Sequence, residues 1–207
     1  MRRLSRSTLA RISIFKERLA TIRLFYRSPK FVAIDLIFGL IALFSNPYRV
    51  CRKFLQNRGV ENIHAYGETP FSTYARIVKQ CGVRAGDSWI EMGSGRGKGC
   101  FWLAHFVKCK IIGIEWIAQF VAIARLMKFI FRVKNVDFRK QNMESFDLQA
   151  ASYIYIYGHW PSLQIPRNAK VIVISEPLPD LPIVHSFWVR YPWGRTRAYV
   201  QTAKNSS

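Results

Sequence analysis

Residues 87–99 read D-S-W-I-E-M-G-S-G-R-G-K-G, and this stretch decides the fold. An apolar run ends in Glu91, a glycine-rich turn follows, and an apolar helical pattern begins at Cys100. Glycines at alternate positions let the backbone turn sharply and let a ligand approach main-chain N–H groups without a Cβ in the way. A strand that leads into such a turn, with a helix behind it, predicts the first unit of a nucleotide-binding α/β domain.

The spacing of the glycines narrows the choice of cofactor. A dinucleotide motif that starts at Gly93 would need glycine at position 98, where the chain has Lys98. The chain instead reads E-x-G-x-G-x-G, which resembles the first motif of class I S-adenosylmethionine (SAM) methyltransferases. Residues 110–115 read as the next strand and end in Glu115, 18 positions after Gly97, about where an acid meets two ribose hydroxyls. A plain glycine turn in an unrelated α/β domain is the alternative, and the ordered series of strand, turn, helix, strand and acid argues against it.

Composition limits the class of protein and of partner. The 207 residues are 50% apolar, which suffices for one full domain and an appendage. The net charge is +20, and residues 1–65, with 13 basic and 3 acidic side chains, are about twice as basic per residue as the rest. This excess favours nucleic acid, an anionic lipid surface or an acidic protein face. The four cysteines form no C-x-x-C pair, which predicts reduced thiols in a cytoplasm-like compartment and no metal site.

The N-terminal third combines basic and apolar residues. Residues 1–30 carry nine basic side chains and one acid between apolar positions, which predicts a basic amphipathic helix at a membrane surface. An organellar transit peptide has a similar composition, so that alternative stays open. We expect residues 1–60 to form a helical extension and residues 61–207 to form the catalytic domain.

Residues 31–44 are apolar except for Asp35. As a helix this run would reach only ~21 Å, less than the ~30 Å hydrocarbon core of a bilayer. Basic residues flank it on both sides, which favours a helix lying in one leaflet over a clean span. Packing against the catalytic domain is the alternative. We therefore expect the protein to be associated with a membrane and to face a reducing, cytoplasm-like compartment. A soluble cytoplasmic location and a mitochondrial location are the alternatives.

Three motifs together sharpen the resemblance to a family. Y-G-E-T-P at 66–70, E-M-G-S-G-R-G at 91–97 and I-G-I-E-W at 112–116 look like the non-SET histone-lysine methyltransferases. They are equally similar to membrane-anchored mitochondrial lysine methyltransferases that modify an ATP-synthase c-subunit or a nucleotide carrier. The resemblance covers about residues 64–180. It implies that SAM is bound by Tyr66, Glu68, Thr69, Glu91, Gly93, Ser94, Gly95, Gly97, Glu115 and Trp116, with Glu91 and the glycine turn at the methionine moiety and Glu115 at the ribose.

Residues 136–141 read as the third strand, and Asn142-Met143 directly follows it. Families of this kind usually carry aspartate there to accept from the adenine amino group. Asn142 keeps a carbonyl acceptor without the charge, and Met143 is expected to pack on the ring face.

The fourth strand, residues 151–157, is followed by Gly158-His159-Trp160-Pro161. Ligands of doubly wound sheets lie outside the carboxyl ends of the strands, so Tyr157, His159 and Trp160 are the candidate catalytic residues. The histone-directed class has an asparagine pair at this point, where this chain has Tyr157-Gly158. Strand packing for the tyrosines and a surface turn for His159 are the alternatives.

The remaining pattern completes the predicted fold. Thr69 and Pro70 favour a helix over 71–81, with Thr69 as N-cap and Pro70 in its first position. A fifth strand at 170–175 and a hairpin over 187–202 follow. We therefore expect an α/β, Rossmann-like, doubly wound seven-stranded methyltransferase sheet with an N-terminal helical extension.

The predicted reaction is SN2 transfer of the SAM methyl group, with a protein lysine at or near a membrane as the expected acceptor. A lysine amine must lose a proton before attack, and an aromatic pocket would lower its pKa. The alternatives are methylation of a quinone or lipid, methylation of RNA, and a non-catalytic membrane adaptor with a SAM fold.

Overall fold

Seven strands form one sheet in the computed structural model, which describes residues 6–59, 66–149, 151–158 and 164–203. The strands are β1 (Ser88–Met92), β2 (Lys110–Glu115), β3 (Val136–Lys140), β4 (Tyr153–Tyr157), β5 (Lys170–Ile174), β6 (Ile183–Tyr191) and β7 (Gly194–Thr202). Their order across the sheet is β3-β2-β1-β4-β5-β7-β6. Neighbours among β1 to β5 are parallel, and β7 is antiparallel to both β5 and β6. The predicted seven-stranded Rossmann-like sheet is confirmed.

Six α-helices lie in the described residues. They are α1 (Arg6–Phe25), α2 (Pro29–Phe44), α3 (Pro47–Gln56), α4 (Phe71–Cys81), α5 (Lys98–Phe106) and α6 (Ala118–Ile130). One sheet face forms a core with α4, α5 and α6 around buried residues such as Trp89, Phe101 and Phe138. In the described part of the chain the other face packs against the short 3₁₀ turn Met143–Ser145 and against loop residues such as Leu148 and Leu178.

Strand direction brings distant segments to one edge of the sheet. Because β7 runs antiparallel to β5 and β6 runs antiparallel to β7, β6 points the same way as the parallel strands. The ends of β4 at Tyr157 and of β6 at Tyr191 therefore lie at the same carboxyl edge as the glycine turn after β1. This edge is where ligands of such sheets bind.

The apolar helix α2 packs on the catalytic domain with one face and exposes the other. Phe31, Ile34 and Phe38 follow one another at helical spacing and are buried in the same core as the sheet. Asp35 lies 3.1 Å from the Lys98 ammonium. The opposite side of α2 exposes Leu36, Leu40, Leu43 and Phe44.

The first helix also presents apolar side chains to solvent. In α1, Ile12, Phe15, Leu19 and Ile22 share one exposed stripe, whereas Thr21 and Phe25 are buried. The predicted helix is present, and its apolar stripe points away from the domain. The division at residue 60 stays a prediction, because residues 60–65 lie outside the described residues.

The length and apolar composition of the helices bear on whether the chain can cross a membrane. In the described segments, no helix taken singly is both long and apolar enough to cross a bilayer. The pair Pro29–Phe44 and Pro47–Gln56, bent by 55°, satisfies the same criterion when taken together.

Candidate cofactor and acceptor site

The turn after β1 depends on backbone conformations that favour glycine. Gly93, Gly95 and Gly97 have φ values of +75°, +55° and +83°, which side-chain-bearing residues rarely adopt. A Cβ on Gly97 would lie 2.6 Å from the Phe138 ring, so close packing excludes any other residue there as well. The turn therefore carries no Cβ at these three positions. Within it the N–H groups of Gly93 and Ser94 donate to the Ile114 carbonyl, and that of Gly97 donates to the Ser94 carbonyl.

Glu115 supports this turn from the neighbouring strand tip. One carboxylate oxygen accepts from the Gly95 N–H at 2.9 Å, and the other accepts from the Ile117 N–H at 2.8 Å. Burial raises the pKa of the Glu115 carboxyl, and these backbone N–H groups oppose the rise. Each carboxylate oxygen can accept a second hydrogen bond. Glu115 thus has acceptor capacity for the two ribose hydroxyls that the resemblance assigns to it.

Glu91 lies beside Glu115 and is far more enclosed. Glu91 is paired in register with Gly113, so the two acids occupy the same face of adjacent strands, two residues apart. The Glu91 carboxylate accepts from the Tyr74 hydroxyl at 2.6 Å and lies 3.5 Å from the Cys100 thiol. Burial raises its pKa to about 7. Its predicted contact with the methionine moiety stays a prediction, and Tyr74 and Cys100 are partners that the sequence did not indicate.

Tyr66 and Glu68 lie against the glycine turn. A Cβ on Gly95 would be 3.5 Å from the Tyr66 ring, and the Tyr66 hydroxyl donates to Glu68 at 2.9 Å. Although burial opposes it, the positive charges of Lys98 and Arg96 hold the pKa of Glu68 below its usual range. The Y-G-E-T segment is therefore fixed to the turn by charge as well as by packing.

Arg96, within the glycine motif, connects three parts of the molecule. Its guanidinium forms an ion pair with Glu68 and donates to the Phe38 main-chain oxygen at 3.1 Å. Arg96 is buried. The motif's arginine thereby attaches helix α2 to the turn, a role that sequence spacing alone did not indicate.

Thr69 has a different role from the predicted helix cap. Helix α4 begins at Phe71, and Pro70 occupies the N-cap position with no side-chain hydrogen bond. The predicted N-cap at Thr69 was wrong, because the hydroxyl is engaged elsewhere. It lies 2.7 Å from the Tyr155 hydroxyl and 3.3 Å from the Tyr191 hydroxyl.

An aromatic cluster surrounds this threonine at the carboxyl edge. The Tyr155 and Tyr191 hydroxyls are 2.9 Å apart, and the Tyr157 and Tyr191 rings have centroids 5.4 Å apart. The Trp193 ring stacks on Tyr191 at 5.3 Å. Of the residues in this cluster, the sequence indicated only Tyr157, which it named together with His159 and Trp160. Tyr191 and Trp193 were missed because only the return of the hairpin beside β5 brings them to β4.

The remaining predicted residues divide by location. A Cβ on Gly93 would lie 3.6 Å from the Met143 sulfur, so Met143 is close to the glycine turn. Asn142 directly precedes Met143. The Trp116 ring, next to Glu115, is covered on one side by the Arg58 guanidinium at 4.0 Å. Predicted catalytic residues His159 and Trp160 lie outside the described residues, and the cofactor and catalytic roles of all these side chains stay predictions.

Comparison with known proteins assigns the family. Residues 53–176 match the model of the family described as "Histone methylation protein DOT1". The chain belongs to the DOT1 family. No curated protein sequence matches the chain.

Solved structures share the fold at low sequence identity. An RNA methyltransferase from Salinibacter ruber, in complex with S-adenosyl-L-homocysteine, is 20% identical with a TM-score of 0.58, over 68% of this chain and 97% of that one. TrmN from Thermus thermophilus is 12% identical with a TM-score of 0.55, over 67% of this chain and 50% of that one. The Bacillus subtilis M1A22 tRNA methyltransferase TrmK is 11% identical with a TM-score of 0.53, over 64% and 66%. These structures confirm the class I fold.

Family and fold together make this DOT1-family chain a SAM-dependent methyltransferase, as the sequence predicted. The residues present fit that cofactor. Gly93, Gly95 and Gly97 keep alternate positions of the turn free of Cβ atoms, and each Glu115 carboxylate oxygen can accept a further hydrogen bond beside it. Within the described residues, no group of three or more histidine, cysteine or acidic side chains is arranged to hold a metal ion.

Proposed function

We propose that the protein is a protein-lysine N-methyltransferase that acts at or near a membrane surface. The observation that carries the acceptor assignment is the aromatic cluster of Tyr157, Tyr191 and Trp193 at the carboxyl edge of the sheet. Membership of a family of histone methylation proteins supports a protein acceptor.

An aromatic edge suits the chemistry of a lysine acceptor. When bound, SAM supplies an electrophilic methyl group on a sulfonium sulfur. A lysine amine, with a pKa of about 10.4 in water, attacks only after losing its proton. Aromatic rings that exclude water disfavour the charged ammonium and lower that pKa. The same ring faces can hold a methylated ammonium by cation–π attraction.

The tyrosine hydroxyls in this cluster act as positioning groups rather than as bases. Burial raises the pKa of Tyr157, of Tyr155 and of Tyr191, so all three stay protonated near neutral pH. The Tyr155 hydroxyl lies within hydrogen-bond distance of the Tyr191 and Thr69 hydroxyls, which holds the rings of Tyr155 and Tyr191 in place. Proximity and orientation then supply most of the rate enhancement.

The membrane part of the proposal rests on the outer faces of α1 and α2. Each of these helices exposes a stripe of large apolar side chains, and the basic residues Arg27, Lys30, Arg49 and Lys53 flank α2. Large exposed apolar patches bordered by polar residues mark interaction surfaces. An apolar face with flanking cations is typical of a helix at an anionic membrane interface.

The test is transfer of tritiated methyl from SAM to a fractionated lysate, followed by hydrolysis of the protein fraction and identification of methyllysine. We expect the label in membrane-associated protein. Label confined to RNA would contradict the proposal and favour the RNA alternative, which the net charge of +20 supports. Label confined to extracted lipid would favour the small-molecule alternative, and no label at all would favour the adaptor.

The hairpin offers a matched pair of variants for the acceptor site. Trp193 and Trp188 are 57% and 51% exposed, but only Trp193 stacks in the aromatic cluster, whereas Trp188 lies under the Arg197 guanidinium. Trp193→Ala should lower the rate of methyl transfer roughly tenfold, because it removes one cation–π contact worth ~1–2 kcal/mol. Trp188→Ala should leave the rate near that of the unaltered protein. Equal losses of rate in both variants would contradict the assignment of the aromatic cluster to the acceptor site.

A further inference from the structure

A basic cavity lies beside the candidate cofactor site. Its volume is about 520 Å³, and it lies between α3, the loop that follows β2, the start of α6 and the end of β3. Arg49, Lys53, Arg58 and Lys140 supply four positive charges to its lining. No lining residue is acidic, and the walls between the cations include Phe54 and Trp116.

The four cations have no acidic partners in the described structure. None of them forms an ion pair with a carboxylate whose side chain the structure describes. The Arg58 guanidinium is held instead by ring faces, 4.0 Å from Trp116 and 4.6 Å from Phe54. Four like charges around one cavity repel each other, and a bound anion would remove that repulsion. Guanidinium and ammonium groups are the usual partners of phosphate oxygens.

The cavity adjoins the exposed apolar end of helix α2. Gln119, which lines the cavity, donates to the Ser45 hydroxyl at 2.9 Å. Ser45 directly follows α2, where Leu43 and Phe44 are 79% and 92% exposed. An anion-binding pocket therefore lies next to an apolar surface, which is the arrangement that suits a charged headgroup with hydrocarbon chains.

SAM itself is poorly matched to this cavity by charge, although Trp116, one of the predicted cofactor residues, forms part of its lining. The sulfonium and ammonium groups of SAM outweigh its single carboxylate, so SAM is a net cation, and four positive charges would repel it. The acid that suits SAM, Glu115, is directed at the Gly95 and Ile117 N–H groups and does not line the cavity.

We propose that this cavity binds the phosphate group of an anionic phospholipid, with the acyl chains lying along Leu40, Leu43 and Phe44. The inference rests on the membrane part of the proposed function and deepens it, because it names the lipid class that holds the enzyme at the surface. A free phosphate ion shares the headgroup chemistry but would leave the apolar end of α2 uncovered.

The test is flotation of the full chain with vesicles, without SAM or an acceptor, so that the outcome does not depend on methyl transfer. Vesicles of phosphatidylcholine alone are compared with phosphatidylcholine and phosphatidylglycerol at about 4:1, a composition with an anionic surface. The cavity variant is R49Q/K53Q. The control is R76Q/K79Q, which removes one arginine and one lysine from exposed positions on α4 that do not line the cavity. Near-ultraviolet circular dichroism verifies that each variant is folded.

We expect the unaltered chain to partition more strongly to the anionic vesicles. R49Q/K53Q should weaken that partitioning roughly 30-fold, about 2 kcal/mol for two cations near an anionic surface, and the control should weaken it less than threefold. Equal losses in both doubles would show general charge attraction and overturn the proposal, as would unchanged binding of R49Q/K53Q. Saturable binding of inorganic phosphate in calorimetry, lost in R49Q/K53Q while vesicle binding persists, would assign the cavity to a free anion instead.

Discussion

Glu91 and Glu115 lie near the carboxyl ends of adjacent strands, on the same face of the sheet, yet their surroundings differ. Glu91 is 4% exposed and is enclosed by the side chains of Tyr74 and Cys100. Glu115 is 9% exposed and bonds only to main-chain N–H groups at the ligand edge. The two-residue offset along the strands places Glu91 among core side chains and Glu115 at the carboxyl edge of the sheet. A motif therefore locates a carboxylate, and the elements packed above it decide what that carboxylate does.

The largest expected effect is the loss of SAM binding when Glu115 is substituted. Glu115→Ala removes the acceptor for the ribose hydroxyls and also releases the Gly95 N–H that shapes the turn. We expect the Kd for SAM, measured by calorimetry, to rise at least about 100-fold, which corresponds to one or two charge-assisted hydrogen bonds. Asp137→Asn on the neighbouring strand β3 is the control, because Asp137 is exposed and pairs with Lys128 and Arg139. An unchanged Kd in Glu115→Ala would remove the ribose assignment.

Glu91 should control stability through pH. Its pKa is raised from 4.5 to about 7 by burial, so folding favours the protonated form. The stability contributed by this group is fully present below pH 4.5 and is lost as the pH rises through about 7. Between these limits the free energy of unfolding should fall by up to about 3 kcal/mol from this residue. Urea unfolding at pH values of about 5 and about 8 measures the change.

Glu91→Gln is the matched variant for that measurement, because glutamine keeps the shape and cannot titrate. In this variant the difference in unfolding free energy between the two pH values should be smaller by the amount that Glu91 contributes, up to about 3 kcal/mol. An identical pH dependence in Glu91→Gln and in the unaltered protein would contradict the burial argument.

Much of the fold followed from patterns that act locally along the chain. The strand–turn–helix unit at 87–106 and the second strand ending in Glu115 depend on apolar runs and on glycine geometry, and both are present. The number of strands was expected as well, since five strand patterns and a final hairpin follow one another along the chain. Helix α1 was expected as well, since apolar residues that recur every three or four positions between basic residues favour a helix.

The parts that could not be predicted depend on contacts between distant segments. Tyr191 joins Tyr157 only because β7 inserts between β5 and β6. Thr69 looked like a helix cap, since its local sequence fits one, but two tyrosine hydroxyls compete for its side chain. Tyr74 reaches Glu91 from a helix 17 residues earlier in the chain, and no spacing rule indicates that hydrogen bond.

Gly99 gives a way to disturb the Glu91 environment without changing either acid. A Cβ on Gly99 would lie 2.1 Å from the Tyr74 hydroxyl oxygen, so Gly99→Ala must displace the tyrosine from Glu91. We expect the free energy of unfolding to fall by about 2 kcal/mol, as for other overpacked cores. Gly39→Ala on α2 is the control, because nothing lies within 4 Å of that Cβ. The control should gain up to about 1 kcal/mol from helix propensity, and a similar gain in Gly99→Ala would contradict the close contact.

The smallest effect is expected from Tyr74→Phe, which removes a single hydroxyl. At a pH of about 5 Glu91 is protonated, so the lost hydrogen bond is a neutral one and should lower the unfolding free energy by about 1 kcal/mol. At a pH of about 8 the bond is charge-assisted, and the loss should rise to about 2 kcal/mol. Without its donor, Glu91 should also titrate above the value of about 7 found beside Tyr74. Because Tyr74 contacts the enclosed acid and not Glu115, the Kd for SAM should stay within about threefold of the original. A large loss of SAM affinity in Tyr74→Phe would mean that Glu91 and Glu115 act as one site.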